Sequence, residues 1–506
     1  MPAIITDKFR IHNSEQFSEA FSESSGNTMY LGIGRPQAFA TSTRGDSRTN
    51  NEGTDTAPVT PADNINSQHF PFDDMLAAKK ITSSDITFAI PRRNWTTGTV
   101  YDVYRHDYGE YATGTTTAIT SNSGASTLHD ATFYVLTGAR NVYKCLDNNS
   151  NAASTVEPTG TDVTILETAD GYRWKYMYTL SASQQANFLS TDFMGVSTDT
   201  TVSTAATDGA LDVIKIKAGG SAYTVSGGAT SGTITAIPIR GDGTGGVASV
   251  TLTSGVITAV TVTTRGSGYT SGYIRNADII TATNAGGAGS GAELDVIIPP
   301  RHEKSGGGFG GHGANAIKEL GGFFVMLNTS LEGTESTNSG DFTAANDFRK
   351  ITLIKDPNNA SGTAASAATL RGTYAIKIAS SPTPGTFTAD EEINQATTGA
   401  VGKVVEWDSV NGILYYIQTR HNDAGADSNG NVTAFSGANV ITGQGSSATG
   451  TPNTSESGTV NNVTFTSGYA APEIQHDSGD IIYVENRTKI TRATDQTENI
   501  KLIIEF

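Results

Sequence analysis

Histidine and cysteine are the first residues to weigh for chemistry in this chain. His12, His69, His106, His129, His302, His312, His421 and His476 are scattered, no two stand at H-x-x-x-H spacing, and Cys145 is the only cysteine. A cysteine-based zinc site is therefore excluded, and local metal-ligand spacing is absent. No intrachain disulfide can form. The sequence has no G-x-S-x-G elbow and no G-x-x-x-x-G-K-[ST] loop, hence no nucleophile turn and no nucleotide phosphate cradle. No catalytic residue, metal or cofactor is assigned.

Three patterns imitate sites. Gly308, Gly310 and Gly313 spell G-x-G-x-x-G in "GGGFGGHGANAIKEL", ahead of a short helix capped by Asn315. A dinucleotide site needs a strand running straight into the glycines within a βαβ unit. Pro299, Pro300 and a charged loop intervene here, so the stretch reads as a flexible connector. "NDAGADSNGNV" (422–432) has the composition of a calcium loop, but setting Gly430 at the sixth position puts Gly425 where the first Asp belongs. It reads as a surface turn. The acid pairs Asp73–Asp74 and Glu391–Glu392 read as helix-start or solvated charges.

"IPRRNW" (Ile90–Trp95) joins a cationic pair to one of only three tryptophans. Pro91 favours an extended Ile90, so Arg92 and Arg93 are expected on opposite faces. Two readings stand. Each guanidinium pairs with a carboxylate inside the fold while Trp95 packs, or the three residues anchor a contact between subunits, where Arg and Trp are enriched.

The elements that would position these residues follow from composition. Of 506 residues, 36% are apolar and only 16% charged, with 56 glycines and a net charge of −17. A disordered chain this poor in apolar residues would be more highly charged. Thr, Val and Gly in quantity suit strands and turns. The negative charge argues against nucleic acid and anionic membranes as partners. With one cysteine, no long apolar run and no cleavage-site pattern at the start, the expectation is a soluble product folding in a reducing cytoplasm.

Along the chain, "HNSEQFSEAF" reads as a helix capped by Ser14, with Phe17 and Phe21 one turn apart. "FDDMLAAKK" reads as a helix with Asp73 and Asp74 at its start and Lys79 and Lys80 at its end. "TMYLGIG", "ITFAIP", "ATFYVLTG" and "YRWKYMYTL" read as strands. "DVIKIKAGGSAYT" recurs as "AVTVTTRGSGYT" at an offset that aligns Gly220 with Gly266 and Tyr223 with Tyr269, and "GTGGVASVTL" recurs as "GSGAELDVII". Two copies are too few for a solenoid, so the stretch is a small inserted β-domain. "FTADEEINQATTGAVGKV" is loosely echoed by "FSGANVITGQGSSATGT", with a hairpin, "GKVVEWDSVNGILYYIQT", between them. The fold class expected is mainly β: a multi-layer β-sandwich core with short helices in loops, plus inserted small β-domains. The core occupies 1–202, 301–357 and 468–506, and the insertions occupy 203–300 and 358–467.

"TDKFR", "IGRPQ", "IPRRNW", "YKCLD", "DGYRWKYMY", "DFRKITLIKDP", "GDIIYVENR" and "TDQTENI" occur in this order. Together they resemble the gene-eight-type baseplate wedge proteins of T-even-like contractile-tailed phages. The resemblance covers 1–40, 68–110, 130–200, 345–357 and 470–506, and its most specific part is the terminal E-N-R…D-Q-T-E run. Phe39 departs from the family's Trp, and Thr488–Lys489 from a Pro-Pro pair. The resemblance implies a three-layer sandwich, a homodimer within each wedge, other wedge proteins as partners and no catalysis. It also implies a place in the virion tail baseplate, reached from the host cytoplasm. On that basis Arg92 or Arg93 is expected to pair with Glu485, Asp495 or Glu498, and Arg487 joins them as a candidate anchor. The alternative is a receptor- or glycan-binding tail protein using exposed Tyr223 and Tyr269. A baseplate-borne hydrolase lacks any local signature.

Overall fold

The computed structural model describes residues 4–23, 27–43, 49–111, 115–334, 342–343, 347–420, 432–491 and 497–506. Two compact units share the chain. One comprises Met1–Glu15, Thr87–Met326 and Ile503–Phe506, the other Gln16–Ile86 and Leu327–Leu502. Strands dominate both and the helices are short, so the mainly β expectation holds.

In the first unit a four-stranded antiparallel sheet runs in the order Ile165–Glu167, Tyr172–Thr179, Asn141–Asn148, Tyr134–Leu136. Both of its faces are covered. Tyr143, Cys145, Tyr172, Trp174 and Tyr176 pack with Tyr101, Val135 and Val202 on one side, while Val142, Leu146 and Tyr178 pack with Ile90, Phe133, Met194 and Leu320 on the other. In "YRWKYMY" the aromatic residues fall at every second position: Tyr172, Trp174 and Tyr176 share one face, Arg173 and Lys175 alternate with them, and the register shift between Tyr176 and Tyr178 turns Tyr178 to the other core. Each large side chain so buried contributes roughly 1.5–3 kcal/mol.

The duplicated module belongs to this unit. Its two copies exchange strands. Ile214–Ser221, which carries Gly220, pairs with Ser290–Val296 from the second copy, and Val256–Ser267, which carries Gly266, pairs with Thr244–Thr253 from the first. Gly220 and Gly266 hold φ values of 64° and 61°. A Cβ on either would lie 2.5 Å from a carbonyl oxygen, that of Ser290 or Thr244, so only glycine fits. Tyr223 and Tyr269 are buried as plugs in the two halves. The Tyr223 hydroxyl donates to Asn276 Oδ1 and accepts from Ala292 N, while that of Tyr269 donates to Ile239 O and accepts from Gly246 N.

The second unit holds two larger antiparallel sheets beside several two-stranded ones. One has five strands in the order Thr369–Arg371, Met75–Ile81, Met29–Gly34, Phe348–Lys355, Asp480–Ile490. The other has seven, from Thr449–Gly450 through Ile441–Gly443, Glu392–Gln395, Ala400–Asp408, Ile413–Ile417 and Tyr374–Lys377 to Tyr469–Ala470. Its central hairpin turns at Asn411–Gly412, with Gly412 at φ 65°. Phe387 and Phe435, the leading residues of the two echoed stretches, share one core.

Two local expectations are corrected. "MLAAKKI" is the strand Met75–Ile81, and the helix lies before it at Ile65–Asp73 with Asp74 as its C-cap. Burial of Leu76, Ala77 and Ala78 between two neighbouring strands outweighs the helix preference of Leu, Ala and Lys. The first helix runs Asp7–Glu19, so Ser14 is an interior residue whose hydroxyl donates to the carbonyls of Ile11 and Gly322. The N-terminal N–H groups are met earlier, by Thr6 Oγ1 accepting from Phe9 N at 3.3 Å. Phe17 and Phe21 do meet edge to face, 5.1 Å between centroids.

Candidate functional site

"IPRRNW" continues the strand Ile86–Pro91 and stitches two strand systems together. Arg92 N donates to Asp192 O, and Leu136 exchanges backbone bonds with Arg93 and Trp95. The arginines do turn to different neighbours. Arg92 Nη1 reaches Ser190 O at 2.8 Å and its Nε reaches Asn94 Oδ1 at 3.0 Å. Arg93 donates to the carbonyls of Ala131, His129 and Asp130, and its guanidinium lies 4.6 Å over the Tyr134 ring. Among the described residues neither makes the expected carboxylate pair. Carbonyls left bare where strands end take these donors instead, and a forked cation can satisfy several at once. Trp95 is partly buried against the Tyr101–Trp174 cluster, and its Nε1 donates to Ser154 Oγ at 3.1 Å. Ser154 in turn donates to Asp170, which also accepts from the backbone N–H groups of Thr155 and Val156.

Glu485 has its partners on its own strand: Tyr483 Oη donates to it at 2.7 Å, and Arg487 Nε lies 3.3 Å away. Asp495 lies outside the described residues, as do the Glu498 side chain, His421 and most of 422–432. Within their own units, Arg92, Arg93 and Trp95 have the partners given above, and Glu485 and Arg487 have each other.

The glycine loop holds an anion of its own. Phe309–Gly310 pairs with His302–Glu303 as a hairpin, and the helix Ala316–Leu320 starts at the Asn315 cap. The Glu319 carboxylate accepts from Gly313 N at 2.9 Å and Asn315 N at 3.2 Å. Those are the N–H groups a phosphate would need. Lys144 pairs with Glu319, and both side chains are completely buried. Burial holds the Lys144 amine below its ordinary range, and burial followed by repulsion from Lys144 pushes Lys175 down to about 8. This loop is a structural tie.

Sequence reasoning missed the charges inside the second unit. Arg35, 1% exposed, pairs with Glu52 and lies 3.7 Å from Asp74. Lys350 reaches Asp74 at 3.0 Å. Arg349 grips Asp55 through two bonds of 2.8 Å, and that grip, ahead of burial, holds the Asp55 carboxyl below its usual range. Asp73 ends the helix at its negative pole, an unfavourable place for an anion, and Arg420 neutralises it. Asp73 and Asp74 are therefore neither solvated nor helix-starting. "IGRPQ" and "DFRK" contained the signal: an arginine within an otherwise apolar strand run predicts an internal carboxylate partner. Lys350 and Glu52 also line a cleft of about 250 Å³, with Val59, Phe70, Val484 and Asn486 among its walls.

Tyr223 and Tyr269 are buried, which removes the exposed aromatics on which the glycan-binding alternative rested. Cys145 is buried too, and burial holds its thiol well above the ordinary value. No group of three or more His, Cys, Asp and Glu among the described residues is placed to hold a metal ion.

These places have one thing in common: their charged groups hold strands and loops of a multi-sheet structural protein together. The model of the Phage-Gp8 family, described as Bacteriophage T4, Gp8, matches residues 3–154 and 407–506, about half of the chain. The chain belongs to this family of structural baseplate wedge proteins of the virion tail. Residues 155–406, which include the duplicated module, lie outside the match, whereas 407–467, read above as part of a second insertion, lie within it. Among curated proteins, none matches the chain.

Proposed function

We propose that this chain is a wedge component that holds neighbouring wedge proteins in the pre-contraction arrangement and takes part in the rearrangement of the baseplate. It acts as a homodimer within each wedge, assembles in the host cytoplasm, and performs no catalysis. Its partners are other wedge proteins rather than nucleic acid or membrane, and no described helix is long and apolar enough to cross a bilayer. The two stretches that match the family are far apart in sequence, yet they supply three of the five strands of one sheet: Met29–Gly34, Met75–Ile81 and Asp480–Ile490. That observation carries the reading, because the family's common part is a shared scaffold with its charges locked inside. In this reading residues 203–300 are an insertion carried by the scaffold.

A map of the intact baseplate and wedge reconstitution from purified components test it. The chain should occupy density in each wedge and co-sediment with its neighbours. A baseplate that assembles and contracts without it would overturn the proposal.

A further inference from the structure

The strand Asp480–Ile490, 11 residues long, is the last of its sheet: Phe348–Lys355 lies on one side and no strand on the other. Among the described residues its outward main-chain groups have no hydrogen-bond partner, while the Asn486 side chain is tied within the chain, its Nδ2 donating to Val59 O at 2.9 Å. Bare edges of that length are normally paired, covered or blunted. Here the ladder to Phe348–Lys355 is broken near Ile482 and again beyond Asn486, leaving Tyr483–Asn486 in regular register. Ile482 is 44% exposed, and the Glu485 and Arg487 side chains are 35% and 42% exposed.

The sequence of this edge is complementary to itself. Antiparallel pairing of two copies about a two-fold axis perpendicular to the sheet keeps each face of the sheet continuous, so the axis must pass through a residue. With the axis at Asn486, Glu485 falls opposite the partner's Arg487 and Arg487 opposite the partner's Glu485. Ile482 then meets the partner's Ile490, and Tyr483 meets the partner's Lys489. Moving the axis to residue 485 sets Glu485 against its own copy, and moving it to 487 does the same to Arg487. Like charges directly opposed destabilise a ladder, and unlike charges support it.

We propose that this edge is the surface on which a second copy of the chain docks, joining the two five-stranded sheets through Asp480–Ile490 in the register centred on Asn486. The proposal rests on the dimeric reading above and names the surface responsible. The Glu485–Arg487 pair within each strand becomes a square of four alternating charges across the junction.

Sedimentation of the full chain tests it with Glu485→Arg, Arg487→Glu and the double swap. Both side chains are half-exposed, and circular dichroism confirms that each variant folds. The wild type should dimerise at micromolar concentration. Each single swap should raise the dimer dissociation constant about tenfold or more, and the double swap should return it to within about threefold. Single swaps that dimerise like the wild type, or a double swap that restores nothing, would overturn the edge while leaving the dimer standing. A wild type that stays monomeric would overturn both, and the charges and bulges would then be what keeps the edge single.

Discussion

Replacing Glu319 with glutamine should destabilise the first unit more than replacing Lys144 with methionine, although the two residues are partners. Both side chains are fully buried, so removing either leaves an uncompensated charge, at a cost on the order of 3–5 kcal/mol. The two losses differ in what remains. Without Lys144, the Glu319 carboxylate keeps the N–H groups of Gly313 and Asn315 and has the Lys175 amine nearby. Without Glu319, Lys144 faces Lys175 directly across the ladder, since the two are register partners. Lys144→Met should fall near the low end of the range and Glu319→Gln near the high end. The double variant should recover most of the loss, because a neutral pair leaves no buried charge. Glu319→Gln should also recover with rising pH. Its folded state depresses a lysine pKa, so the unfolded chain binds more protons, and stability climbs as pH rises toward the unfolded lysine value. Urea unfolding followed by Trp95 and Trp174 fluorescence, in a Trp407→Phe background that silences the second unit, gives the free energies. Costs below about 1 kcal/mol for both single variants, or a Glu319→Gln penalty indifferent to pH, would refute the reasoning.

Excising Ile214–Val296 behind a short Gly-Ser linker should leave the rest cooperatively folded, because these two residues are opposite partners in a ladder and sit only about 5 Å apart. The cut spares Val202, Val213 and Ile297, which belong to the scaffold cores; it removes part-exposed pairs such as Lys215–Asp147, worth about 0–1 kcal/mol, and loss of the calorimetric transition would count against it. Asp102 should give acid sensitivity: burial pushes its carboxyl up, but bonds from Ser123 and Thr132 outweigh that and hold it below its usual range. A depressed folded value means stability that is present at neutral pH and lost as pH falls through the carboxylate range. Asp102→Asn should flatten that acid limb in denaturation series.

Strands with a strong local signature were legible in the sequence. "TMYLGIG", "YRWKYMYTL" and the hairpin at Asn411–Gly412 lie where β-branched, aromatic and turn residues put them, because local preference and burial agree there. "MLAAKKI" was not legible, since its Ala and Lys residues prefer a helix and only its two neighbouring strands make it a strand. The offset repeat disclosed the duplication through Gly220, Gly266, Tyr223 and Tyr269 but not the exchange of strands, because a repeat says nothing about which copy a strand pairs with. Arg92 and Arg93 were recognisable as anchors, whereas their carbonyl partners were not: any residue offers a carbonyl, so no residue type marks it.

The exchanged strands of the duplicated module also bear on how such a piece can move between proteins. One copy alone presents two strands whose partners lie in the other copy, so it closes only by association with its twin. Carrying both copies on one chain turns that association into an intramolecular step, independent of protein concentration. Entry and exit then fall side by side at Ile214 and Val296. A cassette of this kind brings its own closure, and what it asks of its host is a seat for the two flanking residues, Val213 and Ile297, in the scaffold core.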